Sequence, residues 1–132
     1  MPSRYEIDKE RRLVVSTGWE RVTATEILQH RRQLRDDPAF NPDFDQLVDG
    51  RAVTGLDMSL AEAKAIAAET PFSPKSRRAF VASGLPILGM ARLMEAAAAR
   101  GENREQVRVF HDFAEALKWL GLHSPIESEM SD

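Results

Sequence analysis

At three points in this chain a hydroxyl or carboxylate residue stands three positions before a glutamate at the head of a helix-like run: Thr23 with Glu26, Ser59 with Glu62, and Asp112 with Glu115. That spacing lets the first side chain bind the backbone N–H of the third helical residue while the glutamate reaches back, so each pair marks a helix start. Each pair also follows a strand-like run: residues 13–17 (LVVST), a run within 46–53, and 106–110 (QVRVF). Strands that alternate with helices form a mostly parallel sheet, because parallel neighbours need a crossover and a helix is the usual one.

The remaining elements fit this frame. Residues 5–8 (YEID) alternate apolar and polar, as a half-buried strand does. The charged turn 9–12 is too short for a crossover, so the first two strands form an antiparallel hairpin, with Gly18 ending the second. Ile27, Leu28 and Leu34 recur at helical spacing until Asp37-Pro38 stops the helix. Phe40 and Phe44 pin the connection after it. The Ser59 helix turns Leu60, Ala63, Ile66 and Ala67 inward and closes at Thr70-Pro71. A fourth strand covers 78–83. Pro86 opens a third helix, 86–100, whose apolar surface is wider than one sheet-facing stripe needs. The last helix buries Phe113, Leu117 and Leu120 and ends at Gly121, before a polar, acidic tail over 122–132. The expectation is a single α/β domain with its core over about 4–121. It holds a five-stranded mixed, mostly parallel sheet, an N-terminal hairpin and about four helices.

At 132 residues the chain is long enough to bury a core. Its net charge of -3 argues against nucleic acid as the main partner. The basic groups at Arg11-Arg12, Arg31-Arg32-Arg35 and Lys75-Arg77-Arg78 are read as solvated faces. The chain has no cysteine, which excludes disulfides, thiolate catalysis and cysteine-ligated zinc. Residues 1–12 have no signal-peptide core and no apolar run is long enough to insert stably in a bilayer, so a cytoplasmic home is expected.

Candidate functional residues cluster around 46–68, where a strand runs into a polar loop and then a helix. Loops at the carboxyl ends of strands are where open α/β sheets receive ligands and partners. Asp49, Thr54, Asp57, Met58 and Ser59 belong to that segment. Ser59 reads first as a helix cap, and second as a hydroxyl for phosphorylation or ligand binding at a positive helix end. Asp49 and Asp57 read first as loop aspartates that bind backbone N–H groups. The alternative is a shared metal or an acid/base task. His111, just after the last strand, is read as a turn histidine with a catalytic base as the alternative. His30 and His123 show no metal-ligand spacing with it or with each other. There is no EF-hand, P-loop, G-x-G-x-x-G or G-x-S-x-G pattern, and no metal or cofactor is expected. Met90 and Met94 in the third helix suit adaptable apolar contacts, either in a dimer interface or in the wall of an apolar cavity.

These segments resemble the STAS domain, the fold of bacterial anti-sigma-factor antagonists, and in particular its SpoIIAA-like subgroup of small stand-alone proteins. The residues that carry the resemblance are YEID and RLVVSTGWERVT, QLVDGRAVTG, SRRAFVAS and GMARLMEA, and the more distinctive VFHDFAEALKWLG, which together span about residues 4–121. The resemblance implies the fold described above and a non-enzymatic module that works through contacts with a protein partner or a second copy of itself. Antagonists of this kind carry Asp-Ser-Ser/Thr-Gly, with the first serine as phosphoacceptor. The corresponding residues here are Asp57, Met58, Ser59 and Leu60, so a methionine stands where the acceptor hydroxyl would be. The subgroup is also similar in shape to CRAL-TRIO lipid-transfer domains. That likeness implies, as the alternative function, a small apolar or anionic ligand in a pocket near the Asp57 loop.

Overall fold

A computed structural model of the chain describes residues 3–84, 87–89, 91–92, 95–96 and 106–122. Its elements follow the chain as β1 (Ser3–Asp8), β2 (Leu13–Thr23), α1 (Ala24–Arg35), β3 (Asp45–Asp57), α2 (Leu60–Ala68), β4 (Arg77–Ala82), α3 (helical at 87–89, 91–92 and 95–96), β5 (Gln106–Phe110) and α4 (Phe113–Trp119). All three cap residues hold their helices. Thr23 and Ser59 form reciprocal capping boxes with Glu26 and Glu62. The Asp112 carboxylate accepts from the N–H groups of Ala114 and Glu115. Gly121 ends the last helix at a φ of 74°, in the left-handed region that glycine adopts without penalty.

The five strands pair in chain order, β1-β2-β3-β4-β5. β1 and β2 are antiparallel and the other three pairings are parallel. Because strand side chains alternate in direction, the strands feed cores on both faces of the sheet. Leu13, Leu47, Ala79 and Val81 lie on one face under Phe113, Ala116, Leu117 and Leu120 of α4. Val14 packs with Leu34 of α1 and with Phe44 and Phe72. Val22, Val53 and Ala82 pack with Ile87 of α3 and Ile27 of α1. α2 rides on α1: the Arg31 guanidinium donates to the carbonyl of Ile66 and, at 3.1 Å, to that of Glu69. Those are carbonyls at the end of α2, where a cation is favoured. Phe40 and Phe44 do pin the α1–β3 connection. Phe44 is buried, and Phe40 meets Phe72 edge to face at 5.2 Å.

Three expectations need correction. β2 does not stop at Gly18 but runs to Thr23, because two register shifts against β3, with Glu20 at a φ of 57°, let the strand bend and continue. β3 likewise runs to Asp57, so Thr54 and Asp57 belong to a strand, and only Met58 and Ser59 lie between it and α2. β2 and β3 thus form a two-stranded arm, paired from Trp19↔Ala52 to Thr23↔Asp57, beyond Gly50↔Ala82 where β4 ends. Leu60 is not inward: it is 48% exposed at the start of α2, while Ala63 and Ile66 are the residues that bury. The side chain of Ala67, together with Pro86, Met90, Met94, His123 and the tail, lies outside the described residues.

Candidate functional site

The face of the sheet beneath α1 and α3 is not filled. A cavity of about 150 Å³, partly open to solvent, lies between the strands and these helices. Val22, Val48, Val53 and Phe80 from the strands, Ile27 from α1 and Ala91 from α3 give it mostly apolar walls. Gly50 also lines it. A Cβ there would stand 2.8 Å from the Val81 carbonyl oxygen and 3.2 Å from the Phe80 ring, so the bare glycine lets β4 and that ring pack close.

A polar row crosses this apolar floor. Arg78 of β4 stands directly across from Gln46 of β3, and the Gln46 amide donates to Ser16 Oγ of β2 at 2.9 Å. Ser16 Oγ lies 3.0 Å from His30 Nε2 of α1. Ser16, Gln46 and Arg78 are all buried. Since Gln46 donates to the Ser16 oxygen, the Ser16 hydroxyl proton is free to bond the His30 ring nitrogen, which accepts when the imidazole is neutral. Burial, and after it the charge of Arg31, hold His30 below its ordinary pKa and so favour that neutral form. Tyr5 meets the His30 ring edge to face at 5.3 Å, and its hydroxyl donates to Asp37 at 2.8 Å.

Two guanidinium groups border the same space. Arg78 lies over Phe72, its guanidinium carbon 5.0 Å from the ring centroid. Burial, and then Arg31, lower its pKa to about 9. Arg31 is half-buried as a residue, but its charged group is enclosed. Burial lowers its pKa to about 10, with Glu69 acting in the opposite direction. Both remain cationic at neutral pH. Both are among the residues that line the recess.

The residues singled out from the 46–68 segment fall elsewhere, while Met90 and Met94 lie outside the described residues. Asp49 is buried under α4, on the opposite face of the sheet. Its two carboxylate oxygens accept from Arg51 Nε and Nη2, both at 2.9 Å, and Arg51 lies over the Phe113 ring at 4.0 Å. Asp57 sits at the end of the arm in an ion pair with Arg21, whose guanidinium crosses Gly55. The two aspartates are eight positions apart along β3, at most about 26 Å at the usual rise, and each is held by its own arginine rather than by a shared metal or proton. Among the described residues no group of acidic and histidine side chains is placed to hold a metal ion. Thr54 and Ser59 are exposed, Ser59 as the α2 cap, and His111 is exposed just after β5. Asp49, Thr54, Asp57, Met58 and Ser59 are not among the described residues that line the cavity; Leu56 is.

Sequence reasoning missed the polar row because its members lie on four separate elements. A signal was nevertheless present. Strands covered on both faces read as near-continuous apolar runs. Ser16 beside Val14, Gln46 beside Val48 and Arg78 beside Phe80 break that rule at positions facing the same way.

No protein-family model matches the chain, and no curated protein matches it. Among solved structures it is similar to an uncharacterised protein of the DUF3478 family, with a SpoIIAA-like fold, from Shewanella loihica PV-4. The two share 16% sequence identity over 89% of this chain and 93% of that one, with a TM-score of 0.58. The fold of this chain is therefore SpoIIAA-like: an α/β mixed sheet with one antiparallel edge pairing. No helix among the described residues is long and apolar enough to cross a membrane.

Proposed function

We propose that this SpoIIAA-like chain is a non-enzymatic, STAS-like regulatory module that works by receiving a small, largely apolar ligand between its sheet and helices α1 and α3. The observation that carries this reading is the cavity itself. Protein interiors pack to crystal-like density and rarely leave a recess of this size without use. The recess is bordered by Ala91 of α3, so a ligand there would touch that helix. Native mass spectrometry of freshly purified chain, with thermal-shift titration against small amphiphiles, tests the proposal. Retained small-molecule mass, or a Tm that rises with ligand concentration, supports it. A clean apo mass with no shift at millimolar ligand overturns it.

A second reading, a docking site for a protein partner or a second copy at the β3–α2 junction, is favoured by one observation. Leu60 stands exposed beside Met58 and Ser59 at the start of α2. In this reading Leu60→Glu releases a stoichiometric partner in pulldown, or converts a dimer to a monomer in sedimentation. A monomeric wild-type chain that captures no stoichiometric partner counts against it.

A further inference from the structure

The Gln46 carboxamide is a buried polar group with bonding capacity left over. Gln46 is 7% exposed and lines the apolar cavity, on the same face of the sheet as Ser16. One of its N–H groups donates to Ser16 Oγ at 2.9 Å. A primary amide carries a second N–H and a carbonyl oxygen with two lone pairs. Neither of these makes a hydrogen bond among the described residues. Buried polar atoms are ordinarily paired, so an unpaired amide on a cavity wall points to a guest that pairs it.

The neighbouring polar groups are engaged. Ser16 Oγ lies between Gln46 and His30 and contacts both. Arg31 donates to the carbonyls of Ile66 and Glu69. Arg78 lies over Phe72 and has a further partner of its own. Gln46 is therefore the buried polar handle of the recess. An amide is uncharged, and its complement is an uncharged head, because carrying an ion between mostly apolar walls costs more than a neutral hydrogen bond returns. A hydroxyl suits both unused positions: its O–H can donate to Oε1, and its oxygen can accept from the second N–H. The volume sets the rest of the molecule. A cavity of about 150 Å³ holds a guest of roughly benzene size.

We infer that the site takes a small neutral hydroxyl compound of about phenol size, with its O–H donating to Gln46 Oε1 and its apolar body among Val48, Val53 and Phe80. This rests on the reading of the cavity as a ligand site, and its test separates the two. Phenol, and toluene as its counterpart of similar shape without a hydroxyl, are titrated into the intact chain by calorimetry. The expected result is that the wild type binds phenol at least as tightly as toluene, although toluene is the more apolar guest. In Gln46→Met, which keeps the length of the side chain and removes the amide, phenol should weaken by about tenfold, the size of one net hydrogen bond, while toluene stays within about twofold.

Toluene binding to the wild type without phenol would overturn the hydroxyl assignment and leave the cavity reading standing. Phenol binding to a folded Gln46→Met protein as it binds the wild type would do the same. No binding by either compound at millimolar concentration would overturn both. Should Gln46→Met fail to fold, the side-chain carbonyl carbon of Gln46 decides by NMR in the wild type. Its resonance should move on titration with phenol and hold still with toluene, and equal movement with the two would overturn the assignment.

Discussion

Ser16 and His30 are fourteen residues apart in the chain, yet Ser16 Oγ lies 3.0 Å from His30 Nε2, a contact that fastens β2 to α1 at the cavity floor. Strand and helix therefore meet through a polar bond on a face whose walls are mostly apolar. The energetics of that bond are those of buried polar groups: modest when satisfied, expensive when one partner is removed.

Removing the hydroxyl strands both neighbours. Ser16→Ala leaves the Gln46 amide and the His30 ring without the oxygen they share. It is expected to destabilise the chain by about 1–3 kcal/mol in urea denaturation. Adding Gln46→Leu removes one of the stranded groups, so the double variant should recover part of that loss.

Acid should weaken the fold through His30. A folded-state pKa below the ordinary 6.5 means that the unfolded chain takes up the proton more readily than the folded one. The stability owed to neutral His30 is complete above about 6.5 and is lost as pH falls from there toward the folded value. Tm measured from pH 7.5 down to 5 should fall. His30→Asn, which can still accept from Ser16 but does not titrate, should show a shallower decline. Equal slopes in the two proteins would contradict this.

Asp49 should prove a structural residue. Asp49→Asn removes the charge that orients Arg51 over Phe113 and weakens the charge-assisted bonds between a buried carboxylate and a partly exposed arginine. The expected loss is about 1.5–3 kcal/mol of stability. Binding in the cavity, on the opposite face of the sheet, should stay within twofold of wild type by calorimetry.

The cap at Ser59 gives a measurable baseline for the β3–α2 junction. Ser59→Ala is expected to cost about 1 kcal/mol by chemical denaturation, and Ser59→Gly only a few tenths. A much larger loss from Ser59→Ala would mean that the hydroxyl does more than accept from Glu62.

The helix starts, the hairpin and the alternation were legible in the sequence because they depend on local chemistry. Thr23, Ser59 and Asp112 cap their helices with partners two or three residues away. The ends of β2 and β3 were not legible, because Trp19 to Thr23 and Ala52 to Asp57 extend by pairing with one another across the chain. The cavity floor was hidden for the same reason. Arg78 reads as one of a basic cluster until β3 and β4 place it across from Gln46, in a core. Leu60 reads as inward on helical spacing, but it sits before the first full turn and looks outward.

The strand order has a consequence for assembly. Each strand pairs with the one synthesised just before it, so the sheet can grow stepwise as the chain emerges, without waiting for a distant segment. One face waits longest. Leu13, Leu47, Ala79 and Val81 are laid down early, but their cover is α4, the last described helix. Until residues 113–120 arrive, the growing sheet carries an uncovered apolar stripe, and that interval is when a nascent chain of this fold is most exposed to aggregation.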